Sequence, residues 1–142
     1  MKIKRIEHIA IATRNLEQLH DFFVNKIGVA FEYEQTFPQH NTRMAMYPIG
    51  ETYLETIQPT SDRADVDSWI KEHGEGLYHI CLEVEDINSA LIELKGKGVK
   101  LIHETPIVGH GNSRIAFLEP SQSSGVMIEL VQLPEGHQTK VS

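Results

Sequence analysis

Eight histidines in 142 residues is a high count, and histidine is the commonest side-chain metal ligand. Two of them occupy matching contexts. His8 lies in IEHIAIATRNLE (residues 6–17) and His79 in LYHICLEVEDIN (residues 77–88), 71 residues apart. Two glutamates repeat on the same frame: Glu55 follows His8 by 47 residues and Glu129 follows His79 by 50. Two imidazoles and two carboxylates suit one borderline or hard divalent ion, such as Zn, Co, Ni or Mn. With four protein ligands, an octahedral ion keeps two positions open, enough to chelate a substrate through neighbouring oxygens. Single strand histidines and glutamates are usually structural or solvent-facing, so the weight here comes from their recurrence at equivalent positions.

The elements that must position these residues also occur twice. An apolar residue two before each His, then alternating character, predicts a first strand in each half. Asn15 and Asp86 can each cap a helix. The first helix carries Leu16, Leu19, Phe22, Phe23 and Ile27 and stops at Gly28; the second carries Ile87, Ala90, Leu91 and Leu94 and stops at Gly96 and Gly98. Three strand-like stretches follow each helix. They are Ala30–Thr36, Arg43–Tyr47 and Thr52–Ile57 in one half, and Val99–Glu104, Arg114–Glu119 and Val126–Gln132 in the other. The expected fold is therefore α+β, with two βαβββ half-repeats over about 3–58 and 77–132 forming a curved mixed sheet cup around a metal. A crossover over 59–76 holds a short helix with Val66, Trp69 and Ile70, and the single domain 1–133 is followed by a polar tail, 134–142.

Strand alternation puts Ala10 and Ala12 on the face of His8, and Cys81 on that of His79. Such small residues would leave space above a metal. A carboxylate among Tyr53 and Ile57, or among Met127 and Val131, needs a charged partner. The remaining histidines (His20, His40, His73, His103, His110 and His137) lack an equivalent placement and read as surface or loop residues. Arg43 and Arg114 could bind a carboxylate or phosphate, but read as solvated strand arginines.

The net charge of −7 argues against a general grip on nucleic acid. No apolar run approaches the roughly 20 residues that cross a bilayer. One cysteine permits no intrachain disulfide, and cytoplasm is the expected location.

The paired halves with their His, Glu, His, Glu set resemble the vicinal oxygen chelate superfamily (glyoxalase, bleomycin-resistance and dioxygenase proteins). The resemblance covers about residues 3–132. HIAIATRNLE, YPIGETYLETIQPTSD, GEGLYHICLEVEDI and GHGNSRIAFLEPSQSSGVMIELVQ look most like its methylmalonyl-CoA epimerases. That resemblance implies proton abstraction alpha to a thioester through a metal-stabilised enolate, with Glu129 and Glu55 moving protons beside the ion. It also implies an acyl-CoA or thiol-adduct substrate, zinc as the metal on isolation and a homodimer. Many epimerases carry Glu in the loop after the second strand, where this chain reads Phe37-Pro38-Gln39-His40; they often have His where Glu119 and Tyr78 stand. The alternative is a glyoxalase I-type lyase, whose glutamate ligands serve as proton shuttles without a separate loop Glu. A further alternative is a non-catalytic binding or resistance protein, a reading that the four intact ligands disfavour.

Overall fold

The computed structural model describes residues 1–136, so His137 and the end of the tail lie outside the described residues. Eight strands form in chain order: β1 (Ile3–Ala12), β2 (Tyr33–Phe37), β3 (Thr42–Ile49), β4 (Thr52–Pro59), β5 (Gly76–Val84), β6 (Ile107–Val108), β7 (Arg114–Leu118) and β8 (Met127–Gln132). Helices α1 (Leu16–His20), α2 (Asp65–His73) and α3 (Ile87–Gly96) lie between them. The hydrogen-bonded strand order is β2-β3-β4-β1-β5-β8-β7-β6. Contacts group the chain into two compact units, one of His8–Tyr78 and one joining Met1–Glu7 to the residues from His79 onward.

In the unit of His8–Tyr78, β1 runs parallel to β4, and β4, β3 and β2 are antiparallel neighbours. One sheet face receives α1, with Leu16 against Ala45 and Tyr47. The other carries Phe37, Met44 and Met46. Ala10 and Ala12 do not leave open space, because Ala64, Val66, Ile70 and Tyr78 pack into the room their small side chains provide. In the second unit β5 is parallel to β8, with β7 and β6 antiparallel beyond. Its helix-side core joins Val84, Ile87, Ala90 and Leu91 to Ala116 and Leu130. Its opposite face carries Cys81, Ile115 and Val131, so Cys81 is a packed filler rather than a cavity wall.

The two helices are seated by the same device. Asn15 caps α1 and Asp86 caps α3, each accepting from the backbone N–H three residues on. The first helical N–H groups also find glutamine acceptors on the last strand: Leu16 N donates to Gln58 Oε1 at 2.8 Å and Ile87 N to Gln132 Oε1 at 2.9 Å. Each glutamine stands three residues after its unit's glutamate, so it points to the helix side as the glutamate points away.

Two elements differ from the sequence pattern. The helix expected through Ile27 is α-helical only to His20; Asp21–Ile27 is a π-helical stretch ending at left-handed Gly28, whose N–H reaches back to Phe23 O. A 3.6-residue apolar pattern does not separate these two windings. Val99–Glu104 is not a strand but holds one bridge, Leu101 to Leu118. There the Ile102 and His103 N–H groups both converge on Phe117 O, and His103 Nδ1 accepts the Phe117 N–H that a ladder would use. Edge pairing resumes only at β6.

Candidate metal centre

Each unit builds one histidine–glutamate pair. In the unit of His8–Tyr78, parallel β1 and β4 place Tyr53 opposite His8 and Glu55 opposite Ala10. His8 Nε2 then stands 3.8 Å from Glu55 Oε1. Beyond β7, antiparallel pairing places Glu129 opposite Phe117, and parallel β5 places Cys81 opposite Glu129. His79 Nε2 is 2.9 Å from Glu129 Oε1, with the Phe117 ring edge-on to the imidazole at 5.3 Å. All four side chains are buried, none more than 5% exposed.

Burial of two carboxylates at this depth is costly without a positive charge near them. The donors present, two imidazole nitrogens and two carboxylates, are those that hold borderline and hard divalent ions. The donors of each pair therefore suit a divalent metal: His8 and Glu55 in one unit, His79 and Glu129 in the other.

The face of β5 that carries His79 continues through Cys81 to Glu83. Glu83 is neutralised by Arg5, whose Nε donates at 2.7 Å within a nearly dry pair, and by Lys4 Nζ at 3.5 Å. The same unit holds a second histidine–carboxylate contact: His110 Nε2 lies 3.8 Å from Glu7 Oε1, with side-chain exposures of 15% and 3%. His110 is therefore not a surface residue. The loop that carries it closes tightly, Gly109 N donating to Ser113 O at 2.9 Å and Ser113 N to His110 O at 3.1 Å. Sequence reading passed over His110 because no second histidine stands at its repeat position. The 71-residue offset nonetheless marks it, since it maps His110 onto Gln39.

The other candidates fall elsewhere. Gln39 is exposed in a one-turn helix, Pro38–His40, and His40 beside it is half-buried with its ring 6.0 Å from that of Phe37. His20 is half-buried and bonds the hydroxyl of fully buried Tyr47 at 3.0 Å. Desolvation there pushes the Tyr47 phenol above its usual pKa. Among the described histidines only His73 is fully surface, stacked on Trp69. Arg43 is not a solvated edge: it pairs with Glu34 and with Glu17 at 2.9 Å, and those hydrogen bonds, Glu34 first, raise its pKa. Arg114, its repeat equivalent, donates to Asn88 at 3.0 Å.

Residues 7–117 match the Glyoxalase/Bleomycin resistance protein/Dioxygenase superfamily. The chain is similar to the mitochondrial methylmalonyl-CoA epimerase of Bos taurus, with 30% identity over 129 residues covering 90% of this chain and 74% of the relative. It is similar to a Streptomyces coelicolor methylmalonyl-CoA epimerase variant solved with 2-nitronate-propionyl-CoA. That likeness has a TM-score of 0.89 and 29% identity, covering 96% of this chain and 99% of the other. A lactoylglutathione lyase of Neisseria meningitidis shows 26% identity over 132 residues, covering 93% of each chain. The α+β glyoxalase-like fold expected from the repeated pattern is thereby established.

Proposed function

The chain belongs to the glyoxalase/bleomycin resistance protein/dioxygenase superfamily, and on that premise we propose that it is a metal-dependent epimerase of methylmalonyl-CoA or a closely related acyl-CoA. The observation that carries this reading is the pair of buried His–Glu couples, His8–Glu55 and His79–Glu129, at equivalent positions of the repeat. Each couple would offer an imidazole nitrogen and a carboxylate oxygen to a divalent ion, zinc on isolation, in a single glyoxalase-like domain over residues 1–133. Epimerase relatives, one solved with an acyl-CoA analogue, support the substrate class.

A bound divalent ion supplies Lewis-acid stabilisation for oxygen charge that develops when the carbon between thioester and carboxylate loses its proton. The residues do the remainder. Glu129 and Glu55 are the carboxylates placed to accept and return that proton. Around Glu129, the apolar side chains of Ile115, Phe117 and Val131 exclude water, which strengthens each charge interaction at the reacting carbon. The enzyme works as a homodimer in the cytoplasm and engages neither nucleic acid nor membrane. Among the described residues no helix is long and apolar enough to cross a bilayer.

A second reading, a glyoxalase I-type lyase, draws on Gln39, an amide where many epimerases carry a carboxylate, and on the lyase relative. Elemental analysis of the purified chain should give one divalent ion per chain. Assays on methylmalonyl-CoA and on the methylglyoxal–thiol adduct then separate the two readings, with turnover of the first expected. Full metal retention by both His8→Ala and Glu129→Ala would refute metal binding by these couples.

A further inference from the structure

We propose that His103 is a positioning residue for the His79–Glu129 couple, acting through Phe117. This rests on the metal reading of that couple given above. Phe117 is the residue of β7 that borders both members. It stands opposite Glu129 in the β7–β8 register, and its ring meets the His79 imidazole edge-on at 5.3 Å.

Backbone hydrogen bonds set how closely Phe117 and Glu129 approach. In an antiparallel strand the N–H and C=O of one residue point to the same side. Those of Phe117 both point away from β8. Its carbonyl accepts the Ile102 N–H at 2.8 Å and the His103 N–H at 3.3 Å, and its own N–H donates to His103 Nδ1 at 3.1 Å. Phe117 and Glu129 are therefore a non-hydrogen-bonded pair, the kind whose side chains stand closest. The polar backbone of Phe117 is anchored in the segment around His103, not in β8. An imidazole nitrogen that accepts a hydrogen bond carries no proton, so this bond holds His103 as the neutral ring protonated at Nε2. The His103 ring also packs beside that of Phe117, with centroids 5.8 Å apart.

The other unit anchors the matching place by ordinary means. Met46 lies 71 residues before Phe117, and Glu32 lies 71 before His103. Met46 stands opposite Glu55, and its carbonyl accepts the Glu32 N–H at 3.0 Å. The neighbour there is β2, whose five residues all pair with β3. In the unit of His79 the corresponding strand is lost, and the bridge from Leu101 to Leu118 stands in its place. The His103 imidazole supplies an acceptor where that ladder has ended. Without it, β7 would loosen at the one residue that packs against His79 and stands opposite Glu129. Side chains that support metal ligands from outside are commonly worth about 10-fold or more in metal affinity.

The test uses the full chain, with zinc as the probe in competition with a chromogenic chelator, and the His79 ring resonances of the metal-free protein by NMR. His103→Ala should stay folded, bind zinc about 10-fold more weakly and shift the His79 resonances. His103→Leu, of more similar volume and also without an acceptor, serves should the first variant fold poorly. His103→Asn should restore both readouts, because its Oδ1 is carried on Cγ as Nδ1 is. In a Phe117→Ala background, or Phe117→Leu if that folds poorly, His103→Ala should change neither readout further. A folded His103→Ala protein that keeps either readout at its wild-type value overturns the proposal. So does failure of His103→Asn to restore them, or an undiminished effect of His103→Ala in the Phe117 background. A wild-type chain that takes up no zinc defeats the metal reading alone, because the His79 resonances of the metal-free protein still answer for His103.

Discussion

Gly109 is the position where a single methyl group should do most to the loop that carries His110. Its backbone, φ −106° and ψ −163°, is open to any residue, so glycine is needed for space rather than for conformation. A Cβ there would meet Ile115 Cγ2 and Ser113 Oγ, each at 2.7 Å, and Ile115 Cδ1 at 3.4 Å. Ser113 is fully buried and Ile115 nearly so, hence neither can swing into solvent. Overpacking of this kind costs about 1–3 kcal/mol. In a chain of this size that corresponds to a melting temperature lower by about 3–5 °C for each kcal/mol. Gly109→Ala should show that loss in urea and thermal unfolding. Gly109→Ala combined with Ile115→Ala removes the Cγ2 collision, so the double variant should be more stable than the sum of the single effects. A Gly109→Ala protein as stable as wild type, or strictly additive with Ile115→Ala, would show that the loop is not closed by this contact.

Removing the metal with a chelator should lower the melting temperature, and zinc or cobalt should restore it; a ligand present at about 1,000 times its Kd is worth about 4 kcal/mol. His79→Ala should abolish that response in the same thermal scan. Gln58→Ala and Gln132→Ala each unseat a helix N-terminus and should cost about 1 kcal/mol in urea titration. Asp67 sits under Arg14 Nη1 at 2.8 Å and Lys71 Nζ at 3.0 Å, and hydrogen bonds from Arg14 and then Lys71 hold its pKa below the usual carboxylate value. A depressed pKa stabilises the fold above the unfolded-state value and loses that contribution as pH falls through the folded one. Acid titration of stability should therefore be shallower in Asp67→Asn; an unchanged acid limb would count against it.

The repeat was legible because its signals are local and occur twice. Caps at Asn15 and Asp86, apolar stripes and paired His and Glu positions need only the spacing of a strand or helix to be recognised. The π-helical winding of Asp21–Ile27 was not legible, since it depends on how Phe23 and His20 meet buried Tyr47. The lost strand at Val99–Glu104 turned on a side chain, His103, competing for a backbone donor, which propensity does not record. Within the site, each His–Glu couple followed from the repeat. His110 and Glu7 did not, because their contact joins residues 103 positions apart.

β1 has buried side chains at Glu7, His8, Ala10 and Ala12, so its alternation slips by one residue between Glu7 and His8. β5 slips at the matching step, between Tyr78 and His79. Both slips coincide with the division between the compact units. On a ribosome this has a consequence of timing. The unit of His8–Tyr78 is one continuous stretch and is complete once those residues have emerged. The segment ahead of His8 must wait, because Lys2 O receives the Glu85 N–H and Arg5 pairs with Glu83. Until that later stretch is made, the start of β1 is an unpaired edge and Arg5 a cation without its carboxylate. A ribosome stalled after Tyr78 should thus expose Ile3–Glu7 to protease, and one stalled after Gln132 should not.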